Sequence, residues 1–209
     1  MPIEVSYDSD ELCDKAINIS LEDTIKNYKN GGTVLLELPA ESYFIANSAS
    51  VRYLTDHDFK GVYVSFQRPF DNICTQFDNC CINKDNLIIL DFTAIFCDKK
   101  YAKISPKDLD AIFNSIIKSL NKLKCKNKFV LIDSLSTCAL YKSDSDVEKL
   151  AEKLVNINND NLLVLFNIAE DLIKKQYIKK ISSYADSVIN ISECVDKYSR
   201  DIVKPSLLT

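Results

Sequence analysis

The sequence predicts an α/β protein with a mainly parallel sheet and helices on both faces, arranged as a three-layer sandwich. Three observations carry that expectation. Six short, β-branched apolar runs recur along the chain, helical patterns lie between them, and 209 residues without a repeat or linker suit one domain. Alternation of strand and helix is the order a parallel sheet requires, because each parallel pairing needs a crossover connection.

The runs are Thr33 to Leu38, Gly61 to Phe66, Leu87 to Phe92, Phe129 to Asp133, Leu162 to Phe166 and Ser187 to Ile191. Continuous rather than alternating apolarity reads as strands buried on both faces. Ser105 to Leu123 is the clearest helix: Ser105 caps, Pro106 suits the first helical position, Asp108 the first turn, and Leu109, Ile112, Phe113, Ile116, Ile117, Leu120 and Leu123 form one apolar face. A second helix follows Asp144 or Ser145, with Val147, Leu150, Ala151, Leu154 and Val155 on one side, a third spans Ala169 to Tyr184, and a fourth Glu41 to Leu54. Near the amino terminus, Ser20-x-x-Asp23 resembles a capping box and Ile25 and Tyr28 give a short apolar face, so a short helix is expected from Ser20 within an extension of residues 1–30. Residues 205–209 read as a tail.

Composition excludes several classes. Hydrophobic residues make up 46% and charged ones 27%, which leaves enough apolar surface for a core and rules out disorder along the whole chain. The first fifteen residues carry five acids and no apolar run, the reverse of a secretory signal, so a cytoplasmic protein is expected. The longest apolar runs fall far short of the roughly 20 residues that span a bilayer, so no membrane partner is expected. A net charge of −4 without a dense basic block gives no footprint for nucleic acid. Eight cysteines without a C-x-x-C pair argue against structural zinc and read as buried thiols, with Cys74, Cys80 and Cys81 the one cluster of redox or metal interest.

In an open α/β sheet ligands bind outside the carboxyl ends of the strands, so the segments after each strand carry the functional reading. Four of them, GGTVLLELPAESYFIANSASVRYL, GVYVSFQRP, KFVLIDSLSTCALY and YADSVINISECVDKYSRDIVKP, resemble in order the core of the RecA superfamily, most nearly the KaiC-like ATPases, from Gly31 to about Lys204. The resemblance implies a P-loop-NTPase-like sandwich. It also implies that Asp133 and Ser134 stand where a Walker B element would, and that a terminal hairpin returns through Arg200 to Lys204.

The departures bear directly on chemistry. A phosphate loop needs glycines, so that successive N–H groups turn inward, plus a Lys and a Ser or Thr for phosphate and Mg²⁺. Here Leu38, Pro39, Ala40, Glu41, Ser42, Tyr43 and Phe44 occupy that stretch, with no Gly, no Lys, one residue lacking an N–H and one carboxylate. Gln67 and Arg68 stand where the family tends to carry acids that polarise the attacking water, and neither is a general base. Lys204 persists, but Pro205 and Ser206 follow where the resemblance leads one to expect an Arg.

The sequence therefore reads as a catalytically inactive RecA/KaiC-like domain, a pseudo-ATPase acting as a regulatory or scaffolding interaction module. No cofactor is expected. The partner is another protein, a homo-oligomer or an active RecA/KaiC-like relative, and Tyr43 and Phe44 fill the vacated nucleotide pocket. Two alternatives remain open. One is an unorthodox nucleotide-binding ATPase, with Asp133 on Mg²⁺ and Arg68 or Lys204 on phosphate. The other is a DNA-associated recombination or repair accessory protein, to which Phe66, Arg68 and Phe70 could offer stacking. Asp91 and Asp133 could share a metal only if their strands are neighbours. His57, the single histidine, reads as a solvated turn residue, and Lys118 to Lys128 as a solvated helix end. Abundant Ile, Asn and Lys suggest an AT-rich genome and an archaeal source.

Overall fold

A computed structural model of the protein describes residues 9–27, 31–93, 109–141, 143–157, 161–169 and 171–193. Six strands, β1 (Gly32–Leu38), β2 (Lys60–Ser65), β3 (Leu87–Asp91), β4 (Lys128–Asp133), β5 (Leu162–Ala169) and β6 (Ser187–Asn190), form one sheet in the order β3-β2-β4-β5-β1-β6. Every pairing is parallel.

The apolar runs become two-faced strands because side chains alternate across the sheet. In β4, Val130 and Ile132 enter one core and Phe129 and Leu131 the other; in β5, Val164 and Phe166 oppose Leu163 and Leu165 in the same way. Helices α1 (Ser9–Asn27), α2 (Tyr43–Asp56) and α3 (Phe70–Asn79) cover the face carrying Phe129. The opposite face is covered by α4 (Leu109–Lys122), α5 (Leu135–Tyr141), α6 (Asp144–Val155) and α7 (Lys175–Ser182). Ile112, Ile116 and Leu120 are the buried stripe of α4, at the spacing that puts them on one helical face. Ser143 caps α6 by accepting a hydrogen bond from the Asp146 N–H.

Gly61 marks a close approach between β2 and β4. A Cβ there would lie 2.3 Å from the Phe129 ring, so the glycine admits a large aromatic on the paired strand.

Several sequence expectations need correction. The amino-terminal helix is not short and does not begin at Ser20: α1 runs nineteen residues from Ser9. It is held by buried Cys13, Ile17 and Leu21 and by an Arg52–Asp14 ion pair to α2. The expected helix from Ala169 to Tyr184 is shorter, because β5 continues through Ala169 and α7 begins only at Lys175. The Ala169 N–H is spent on Ser136 Oγ at 2.7 Å, and Lys174 is extended, so the helical propensity of the segment cannot propagate back to the strand. Two helices without a strong sequence signal, α3 and α5, are additional. β3 is an edge strand whose five residues are half-buried rather than enclosed on both faces. The caps at 105–108, the returning hairpin at 200–204, Lys204 and the tail 205–209 lie outside the described residues.

Candidate functional site at the carboxyl edge of the sheet

The strand order brings the segments after β2, β4, β5 and β1 to one edge of the sheet. Leu38 ends β1 in register with Ala169, and the chain turns at once into a 3₁₀ turn, Ala40–Ser42, and then α2. Pro39 is extended (φ −61°, ψ 148°) and has no N–H to offer. The Ser42 N–H donates to the Pro39 carbonyl at 3.0 Å and the Tyr43 N–H to the Ala40 carbonyl. Two amides that would have to face a phosphate are thus consumed within the turn itself, and the exposed Glu41 carboxylate adds a like charge beside it.

Tyr43, the first residue of α2, points inward. Its side chain is 2% exposed and its hydroxyl donates to Ser136 Oγ at 3.1 Å, across from β1 to the segment after β4. Ser136 in turn accepts the Ala169 N–H, so one hydroxyl ties the ends of β1, β4 and β5 together. Burial raises the Tyr43 phenol above its ordinary value, with Asp133 adding to the rise and the serine hydroxyls opposing it. Phe44 behaves differently. It is 46% exposed, and the Arg68 guanidinium lies 4.9 Å from its ring centroid.

Asp133, at the end of β4, is fully buried, with Ser134 beside it across a cis peptide bond. Its Oδ2 accepts a 2.5 Å hydrogen bond from the Tyr63 hydroxyl. Asn47 of α2 bonds Asn167 of β5, which sits one residue beyond the Ile132–Phe166 pair of β4 and β5. Desolvation raises the Asp133 carboxyl above the ordinary carboxylate range despite the Tyr63 hydrogen bond and the Arg68 charge, which lower it. The Tyr63 phenol is pushed well up by burial and by the adjacent carboxylate. Ser134 Oγ accepts the Thr137 N–H at 3.2 Å and starts α5.

Arg68 is committed to the fold. One guanidinium nitrogen donates to Gln76 Oε1 at 2.6 Å, and Gln76, buried on α3, donates to the Phe44 carbonyl at 2.7 Å and to Ser48. Ser65 Oγ accepts from the Arg68 N–H at 2.9 Å, fixing the turn after β2. Gln67 is exposed. Asp91 and Asp133 are each in register with Ser65, so β2 separates them, and Asp91 spends its oxygens on the N–H groups of Phe70 and Thr93. The two carboxylates do not converge, and among the described residues no group of three metal-ligating side chains forms.

The remaining candidates lie elsewhere. His57 is exposed at the end of α2, stacked on Tyr53 at 4.1 Å, near the amino edge of the sheet. Cys74 and Cys80 are half-buried and Cys81 is exposed; all three are free thiols. Lys118, Lys122, Lys124 and Lys126 are exposed on and after α4. Sequence reasoning missed Asn47, Tyr63, Gln76, Ser136 and Asn167. A signal existed for two of them: Tyr63 and Asn167 interrupt otherwise aliphatic strands, and a polar group inside such a run needs a partner.

These donors do not fit a Mg²⁺-bound triphosphate held in the usual way. The loop offers no Lys and spends the Ser42 and Tyr43 amides within its own turn, and the carboxyl that would face Mg²⁺ is enclosed by Tyr63 and desolvated.

No protein-family model and no curated protein matches the sequence. Solved structures do match. The flagellar accessory protein FlaH from Methanocaldococcus jannaschii superposes with a TM-score of 0.57 at 13% identity, over 80% of this chain and 76% of its own. An uncharacterised Pyrococcus horikoshii protein, solved in complex with an unknown peptide, gives 0.59 at 13% identity over 82% of each chain. A KaiC-like protein from the same organism gives 0.56 at 15% identity, over 77% of this chain and 72% of its own. The all-parallel sheet, its strand order and these likenesses give the chain the KaiC-like, RecA-type α/β fold.

Proposed function

We propose that this chain is a RecA/KaiC-like pseudo-ATPase that works as a regulatory or scaffolding protein-interaction module. The observation that carries the reading is the fate of the loop after β1: its amides close a 3₁₀ turn, and the Tyr43 ring packs inward, bonded to Ser136 next to Asp133. A phenol and two spent amides stand where a phosphate loop would present bare N–H groups. Arg68, the cation that could otherwise meet a phosphate, is stacked on Phe44 and bonded to Gln76. Among the described residues, the carboxyl at the end of β4 that would be the first choice of general base, Asp133, is buried and bonded to Tyr63, which supports the inactive reading. One similar solved structure is a flagellar accessory protein and another holds a peptide, which supports a protein or peptide as this chain's partner.

Thermal unfolding with ATP and ADP, with and without Mg²⁺, tests the reading. A ligand that binds only the folded state stabilises it by RT ln(1 + [L]/Kd), about 2.7 kcal/mol at a hundredfold excess over Kd. No shift at millimolar nucleotide is expected. A Mg²⁺-dependent shift that disappears in Asp133→Ala would overturn the proposal in favour of an unorthodox nucleotide binder.

A further inference from the structure

The two helical layers carry opposite charge. On the α4–α6–α7 layer ten lysines are exposed: two on α4, two in the turn after it, two on α6 and four on or just before α7, of which Lys153 and Lys180 are paired with Asp110 and Glu148. The exposed acids described on that side are Asp110, Glu152, Asp171 and Asp186. The α1–α2–α3 layer is the reverse. Among the described residues eight acids are exposed there, running from Glu22 and Asp23 on α1 through Asp56 at the end of α2 to Asp78 on α3 and Asp85 beyond it. Its one exposed cation among the described residues is Lys26, which is paired with Glu22. Arg52 and Lys84 are half-buried and already neutralised by Asp14 and Asp78. Exposed aliphatic side chains accompany the charges, Ile19 (47%) on the acidic side and Leu172 (49%) near the start of α7 on the basic side.

We infer that copies of this chain associate face to face, the basic α4–α6–α7 layer of one on the acidic α1–α2–α3 layer of the next. Charge complementarity selects a second copy as the occupant, because the chain carries both halves of the match. The contact is heterologous, since each face meets a different face, and such contacts propagate into stacks unless the rotation closes a ring. It uses the helical layers and not the edges of the sheet. The inference deepens the interaction-module reading by naming its partner and rests on it. Nucleotide binding reports on the pseudo-ATPase reading alone, so the two can fail separately.

Opposed exposed layers attract over a screening length of ~30 Å at 0.01 M salt and ~3 Å at 1 M. Sedimentation velocity of the wild-type chain at both salts is the first readout. The expected result is a mass that rises with protein concentration beyond a dimer at low salt and returns to the monomer at high salt. Two charge-reversed variants supply the second: Lys122→Glu/Lys149→Glu/Lys175→Glu, and Asp23→Lys/Asp56→Lys/Asp85→Lys. None of these six side chains has an ion-pair partner among the described residues, and all are exposed, so the fold is expected to persist and is checked by circular dichroism. Each variant alone should remain monomeric at low salt, and an equimolar mixture should regain the association. A wild-type chain that is monomeric at every salt overturns the inference. So does an oligomer indifferent to salt, a reversed variant that keeps the wild-type mass, or a basic face that captures only an acidic polymer such as single-stranded DNA.

Discussion

Tyr43 and Asp133 are buried polar groups whose hydrogen bonds set what each contributes. Tyr43→Phe removes one neutral hydrogen bond while Ser136 keeps the Ala169 N–H, so the expected cost is about 0.5–1.5 kcal/mol in urea denaturation. Tyr43→Ala removes the ring as well and should cost about 3–5 kcal/mol. A Tyr43→Ala variant as stable as wild type would mean that the ring does not fill the space beneath α2. Asp133 acts through its proton. Burial raises its carboxyl above the ordinary value of 3.8, so the folded state holds the proton to higher pH than the unfolded chain does. The stability associated with the protonated form is present at acid pH and is lost as pH rises through that interval. The stability of the wild-type chain minus that of Asp133→Asn, a neutral near-isostere, should therefore fall as pH increases from about 4 toward neutrality. Parallel pH profiles for the two proteins would contradict the account.

Among elements, β2 and β4 make the sharpest prediction. Gly61→Ala drives a methyl into the Phe129 ring and should cost at least about 1–3 kcal/mol, with partial recovery in Gly61→Ala/Phe129→Leu. Failure of the second substitution to recover stability would place the strain elsewhere. On α1, Ile17→Ala should cost about 2–5 kcal/mol if the helix is part of the folded domain, read as a lower midpoint in urea. The strands were legible because aliphatic runs bounded by turn residues leave no other way to bury both faces. Helix boundaries were less so. The stretch after β5 has helical composition, yet Ala169 is claimed by pairing with Leu38 and by Ser136, contacts that are remote in sequence. α1 carries its apolar residues at Cys13, Ile17 and Leu21, a narrow stripe among acids that local pattern alone does not extend back to Ser9. α3 is ten residues long, and its inward face is largely Ile73 and Phe77 with a buried Gln76, too little periodicity to announce a helix.

At the scale of the whole molecule, alternation of strand and helix dictated a parallel three-layer sandwich, but not which strands are neighbours. That order is what separates Asp91 from Asp133 by a strand and gathers Tyr43, Ser136 and Ala169 into one knot. The loop's unsuitability for phosphate could be read in its residues, since Pro39 lacks an N–H and Glu41 adds a charge. Both Tyr43 and Phe44 were expected to fill the pocket, and only Tyr43 turns inward while Phe44 stays exposed, because the split depends on which partner the crossing strands bring near: Ser136 for one, Arg68 for the other.

The central claim is that the position facing Asp133 belongs to the chain's own tyrosine and not to a nucleotide. Isothermal titration calorimetry of the wild-type protein with ATP and Mg²⁺ tests it most directly. The account predicts no heat of binding up to high micromolar nucleotide. Saturable, Mg²⁺-dependent heat that is abolished by Asp133→Ala would contradict it and make residues 38–44 a phosphate loop of a different kind.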